Sequence, residues 1–182
     1  MSAMSAMSAT SAMAAMPAIV ASDRMHVIAR VGGERFAFRV ADVEEVLDAP
    51  ALMPVPGAPP GLSGQLRHRG RTVSAYDSRW SFGIERRAST RSTRTDRGAG
   101  TALILRVAAD RVALLVDDVE DLTALDSDAL RAAPAGTDPS GLLRGVFLPR
   151  EGGNTHVLVG VVNVVAVVAR ASSLRVEAES AE

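Results

Sequence analysis

The amino-acid sequence predicts an all-β fold of the barrel or sandwich class. Three observations predict it. Short apolar runs rich in Val, Leu and Ile recur at close spacing, Gly-containing turn signals separate them, and only one or two segments leave room for a short helix. The chain has 182 residues, which suits one domain of roughly 150 residues plus tails. A domain of that size buries roughly 70% of its unfolded-chain surface, enough for a core without covalent staples. Hydrophobic residues make up 47% of the chain and aromatics only 3%, so Val, Leu, Ile and Ala must fill that core. The β-branched ones among them fit a pleated, half-buried surface.

The elements follow in order. Residues 1–24 form a low-complexity Met/Ser/Ala segment with no charged side chain before Asp23. A secretory signal needs a basic stretch ahead of its apolar run, so a disordered tail is the expectation here. The character changes at Met25, and His26 to Val31 reads as a strand. A Gly32-Gly33 turn and a return strand, Arg35 to Val40, complete a hairpin. Val43, Val46 and Leu47 stand at helical or turn spacing. The segment from Pro50 to Gly61 holds five prolines and two glycines and is expected to run outside any sheet. Gln65 to Arg69 and Arg71 to Asp77 read as strand, turn and strand, closed by Arg79-Trp-Ser-Phe-Gly83. Residues 85–100 carry five arginines against two acids, a local charge of +3, and no hydrophobic period; a mobile loop is expected.

Two further strands, Ala102 to Val107 and Arg111 to Val116, meet at a tight turn placed at Ala109-Asp110. The acidic stretch Asp117 to Asp121 reads as a solvated connection. Asp126 or Ser127 can cap a short helix that runs to Arg131 and stops at Pro134. Leu142 to Leu148 and His156 to Val162 form the last predicted strand pair, and residues 172–182 a polar tail or frayed helix.

Composition also excludes functions. With no cysteine there is no disulfide or thiolate metal site, which fits a cytoplasmic address. All 20 basic residues are arginine, which rules out a lysine Schiff base or a Walker-type phosphate lysine. The net charge of −1 gives no general pull toward nucleic acid or membrane. No apolar run reaches the roughly 18 residues of a spanning helix; the longest, Val157 to Val168, is interrupted at Gly160 and Asn163. His26, His68 and His156 lack metal-ligand spacing, and Asp117 to Asp121 lacks the Gly bend and terminal Glu of a calcium loop. No nucleophile elbow or phosphate-binding Gly loop is present. No catalytic residue, metal or cofactor is expected.

Five stretches resemble the CheW domain of bacterial chemotaxis. Val31-Gly-Gly-Glu-Arg-Phe-Ala-Phe-Arg-Val-Ala-Asp-Val-Glu-Glu-Val46 is similar to that family's opening hairpin and first connection. Gly64-Gln-Leu-Arg-His-Arg-Gly70, approached through Pro59, resembles its Gly-Val-Ile-Asn-Leu-Arg-Gly motif. Val73-Ser-Ala-Tyr-Asp-Ser-Arg79 with Phe82-Gly83 resembles its Val-Pro-Val-x-Asp-Leu-Arg run and Phe-Gly. Val112-Ala-Leu-Leu-Val-Asp-Asp-Val-Glu-Asp-Leu122 is similar to its Val-Gly-x-Val-Val-Asp-x-Val-x-Asp-Val stretch, and Asp126 to Pro134 stands at its short helix. The chain departs from the pattern at Arg67, His68 and Ser74, where the family has Asn, Leu and Pro, and in its long Arg-rich loop.

The resemblance spans residues 25–171. It implies two small SH3-like five-stranded β barrels packed together, with one or two short helices. It also implies a non-catalytic adaptor, cytoplasmic at receptor arrays on the inner membrane. One surface would dock the regulatory domain of a CheA-type histidine kinase, and a groove would hold the cytoplasmic tip of a chemoreceptor, with no nucleic acid bound and no membrane insertion. The implied partner-binding residues are Arg69, Val43, Glu45, Gly64 and Gly70. Arg69 can form a structural ion pair with Glu45, contact a partner, or do both, because its guanidinium offers five donors in a fixed fork. Gly64 and Gly70 can serve backbone turns or allow a partner to approach closely. Val43 reads equally as a partner-facing or a core residue. Two other readings stay open: a CheW-like scaffold of a pathway other than chemotaxis, and a β barrel that binds nucleic acid through the Arg-rich loop.

Overall fold

The structure is a computed structural model that describes residues 24–84, 100–136, 138, 141–148 and 158–171. The predicted N-terminal tail up to residue 23, residues 85–99 of the Arg-rich loop and the segment from residue 172 lie outside the described residues.

The strands are β1 (Met25–Val31), β2 (Glu34–Arg39), β3 (Val43–Asp48), β4 (Leu62–His68), β5 (Arg71–Asp77), β6 (Thr101–Val107), β7 (Asp110–Val116), β8 (Asp118–Ala124), β9 (Leu143–Phe147) and β10 (Val159–Val162). They form two five-stranded sheets, ordered β8-β1-β2-β10-β9 and β3-β6-β7-β5-β4. These are the two small barrels, here called the first and the second. Helix α1 is Ser78–Phe82, and helix α2 covers residues 164–171.

The two sheets share one pairing scheme. Each has an antiparallel hairpin at its centre, β1-β2 or β6-β7, and one parallel neighbour, β10 on β2 or β5 on β7. Chain order differs only by a circular shift. The second barrel is built in one pass from β3 to β7, whereas the first opens with β1-β2 and is completed by β8, β9 and β10. The predicted barrels are therefore present, but one of them is assembled from both ends of the chain.

This arrangement buries both faces of the central hairpins. Val27, Ala29 and Val31 of β1 join Leu103, Leu105, Val112 and Leu114 in the largest core cluster, which lies between the barrels. Ile28 faces the other way, with Ala37, Phe147, Val159 and Val161, into the first barrel. Leu66, Val73, Ala102 and Ile104 fill the second. Strands buried on both faces read as continuous apolar runs, which is why β1 and β6 lack clean alternation.

A short segment clasps the barrels together. The Asp77 side chain accepts from the Arg79 N–H at the start of α1, and Gly83 ends the helix at φ 68°. Phe82 stacks on Phe36 of the other barrel, with centroids 4.3 Å apart. The Asp117 carboxylate accepts from the Gly32 N–H at 2.7 Å and from Arg79 Nη2 at 2.6 Å. The Tyr76 hydroxyl donates to the Ala171 carbonyl at 2.9 Å, at the end of α2.

Several sequence expectations are corrected. Val43, Val46 and Leu47 lie on strand β3, preceded by a single 3-10 turn, Val40–Asp42. The acidic stretch is not a solvated connection. Asp117 belongs to the clasp, β8 starts at Asp118, and Glu120 pairs with Arg35 at 2.6 Å. Thr101 and Asp110 extend the β6-β7 hairpin, so its turn falls at Ala108-Ala109, with Ala108 at φ 53°. The short helix before Pro134 is a 3-10 turn, Ser127–Ala129. Helix α2 was not expected. Asn163, read as a break in an apolar run, is its N-cap: Oδ1 accepts from the Ala166 N–H at 3.4 Å. Val164, Val167, Val168 and Ala171 then recur on its buried face. No helix among the described residues is long and apolar enough to cross a membrane.

Candidate docking site at the end of the second barrel

Strands β4 and β5 are joined by the two-residue turn Arg69-Gly70, with His68 opposite Arg71. Both turn residues have positive φ, 46° at Arg69 and 76° at Gly70. That pair of values belongs to the turn whose twist matches a hairpin. Gly adopts it freely; Arg does so at a cost. Gly70 is thus required by the turn. A Cβ there would meet nothing within 4 Å, so the position is also open to an approaching surface.

Opposite the turn lies β3. Its pairing with β6 slips between Val43 and Glu45, which leaves Glu44 as an extra, bulged residue. In a regular strand neighbouring side chains point to opposite faces. The bulge cancels that alternation, and both carboxylates reach the same hairpin tip. Arg69 Nη2 donates to Glu45 Oε2 at 3.1 Å, and Arg69 Nη1 lies 3.5 Å from Glu44 Oε1. Arg111 Nε donates to Glu44 Oε2 at 2.6 Å, with Arg106 Nε 3.9 Å from the same oxygen. Beneath them the buried His68 ring places Nε2 3.5 Å from Glu44 and Nδ1 3.7 Å from Glu45. The hydrogen bond from Arg111 holds the Glu44 carboxyl below its ordinary range. Partial burial opposes this, while the Arg111 charge, His68 and Arg69 add to it.

β3 and β4 stand at opposite ends of the sheet order, so this cluster joins two strands that share no ladder. It closes one end of the barrel electrostatically. The Arg69 side chain nevertheless stays 65% exposed.

Of the five residues singled out in the sequence, Arg69, Gly70 and Glu45 come together. Val43 is only partly buried and packs against the core between the barrels. Gly64 lies apart, toward the other end of β4. A Cβ there, at φ 153°, would sit 2.7 Å from the Met53 carbonyl oxygen, where the connection from β3 folds back and bridges Gln65. The first barrel repeats the device. Gly145 of β9 meets the Arg131 carbonyl, beside the Arg131–Val146 bridge. Close passage of the chain's own backbone accounts for the glycine at both places.

Sequence reasoning missed Glu44, His68, Arg106 and Arg111 as members of the cluster. A signal existed for the first two: adjacent acids at 44 and 45, and a basic tip from Arg67 to Arg71. Arg106 and Arg111 arrive on other strands and left no local mark.

A model of the CheW-like domain family matches residues 26–172. Among solved structures, the scaffolding protein TtCheW from Thermoanaerobacter tengcongensis resembles this chain with a TM-score of 0.64 and 18% sequence identity. The match covers 78% of this chain and 84% of that one. No curated protein matches the chain. The structural likeness shows the fold, a pair of SH3-like barrels.

Proposed function

The chain belongs to the CheW-like domain family, a family of non-catalytic scaffolds of chemotaxis signalling, and on that premise we propose that it couples chemoreceptors to a CheA-type histidine kinase by binding both. The observation that carries the reading is the posture of Arg69. Its guanidinium is oriented by Glu44 and Glu45 yet remains 65% exposed on a rigid turn. A pre-oriented, partly free guanidinium meets a partner carboxylate or carbonyl with little further loss of freedom. In this reading Arg69 and Gly70 touch the partner and Glu45 orients Arg69. Val43 supports the strand from below, and Gly64 shapes the rim by letting the connection pass. The protein acts in the cytoplasm, at receptor arrays.

The test is assembly of a ternary complex from the chain, a CheA-type kinase and a receptor cytoplasmic fragment, followed by sedimentation. Arg69→Ala is expected to weaken binding to receptor or kinase by about 2 kcal/mol, roughly a thirtyfold rise in dissociation constant. Unchanged affinity for both partners would remove Arg69 from the docking surface. Absence of any complex with the wild-type chain would overturn the coupling role itself.

A further inference from the structure

The second barrel has a seam. β3 and β4 end the sheet order and no ladder joins them; beyond the Glu44, Glu45 and Arg69 cluster at one end, the connection after β3 touches β4 through the Met53–Gln65 bridge. Beside that bridge runs a groove of about 430 Å³, walled by Leu47 and Asp48 of β3 and by Leu66 and Arg67 of β4, with Pro50, Ala51 and Met53 from the connection. Two of the large exposed apolar side chains lie on this stretch, Val46 at 43% and Met53 at 42%. Free strand edges flanking exposed apolar side chains are a ready template for association.

The charges at the groove are unusual. Arg67 and Asp48 line it on opposite walls, yet among the described residues neither side chain has an ion pair or hydrogen bond. The groove thus presents one unpaired cation and one unpaired anion on either side of an apolar strip. A two-fold rotation about an axis through the groove lays the β3 wall of one molecule over the β4 wall of another. Such a rotation would bring the wall that carries Arg67 over the wall that carries the other molecule's Asp48, twice over, with the apolar strip between. That is the requirement for an isologous interface, in which one patch must complement itself. A patch of single sign would repel its own copy; this one does not.

We propose that this seam is a self-association surface, and that its occupant is a second copy of this chain. Sedimentation velocity on the full chain, from about 1 μM to about 1 mM, tests it. A shift from monomer toward dimer is expected across that range. Arg67→Asp places acids face to face, and Asp48→Arg places bases face to face. Each should raise the dissociation constant about tenfold or more, and the double variant Arg67→Asp/Asp48→Arg should restore dimerisation. Thermal melting of the three variants keeps folding separate from association, since Arg67 and Asp48 are exposed. A monomer at every concentration overturns the proposal, whatever else the groove takes up. So does a dimer that neither single exchange weakens, or one that the double exchange fails to restore.

Discussion

Arg69 combines a strained backbone with an exposed side chain, and the two can be tested separately. Its pair with Glu45 is open to water, so Arg69→Ala should lower stability by no more than about 1 kcal/mol, as exposed ion pairs do. Arg69→Gly removes the same guanidinium but suits φ 46°, and should melt at or above the temperature of the Ala variant. Differential scanning calorimetry on the two reads the backbone contribution directly. Glu44 supplies a pH signature. Its folded-state pKa is depressed, so its contribution to stability is present above the ordinary value of 4.5 and is lost as pH falls through the lower folded-state value. Glu44→Gln should therefore flatten the acid limb of a plot of stability against pH. Denaturant titrations between pH 7 and about 3 would show it. An acid limb as steep as in the wild type would mean that other carboxylates carry it.

At the scale of elements, the connection from β3 to β4 and its counterpart from β8 to β9 each fold back onto the following strand, and each needs a glycine there. Gly64→Ala adds a methyl 2.7 Å from the Met53 carbonyl oxygen at a backbone angle that L-residues avoid. A loss of more than about 1 kcal/mol is expected, read as a lowered urea midpoint. Gly70→Ala strains only the backbone, because nothing lies near its Cβ position, and should cost less. If both variants lost the same amount, close passage would not be what keeps glycine at 64. Helix α2 shows how packing overrides propensity. Its valines are weak helix formers, yet Val164, Val167, Val168 and Ala171 all enter the core between the barrels.

For the whole molecule, the position of the largest core decides cooperativity. That core lies between the barrels, and the first barrel draws strands from both ends of the chain. Neither barrel keeps its buried surface without the other, so a single unfolding transition is expected. Asp117 ties the clasp through Gly32 and Arg79. Asp117→Ala should cost about 1.5 to 3 kcal/mol, the range for hydrogen bonds to a charged group. It should lower the denaturant midpoint without changing the slope. Two separate transitions in the variant would show that the clasp, not the shared core, couples the barrels.

The sequence by itself determined the all-β class, eight of the ten strands, the hairpin turns at Gly32-Gly33 and around Gly70, and Arg69 and Glu45 as candidates for one ion pair. These follow from local rules: β-branched runs, residues tolerant of positive φ, and motif residues in the right order. Tertiary structure decided what depends on distant segments. Circular completion of the first barrel by β8, β9 and β10 could not be read from chain order, because strand neighbours are set by which faces bury together. Asp117 turned from a solvated acid into a clasp for the same reason; its donors, Gly32 and Arg79, lie far away in sequence. The convergence of Glu44 and Glu45 needed a bulge that appears only once β3 is paired with β6. In a lone strand the two acids would point to opposite faces, and no local pattern marks the residue that breaks the alternation.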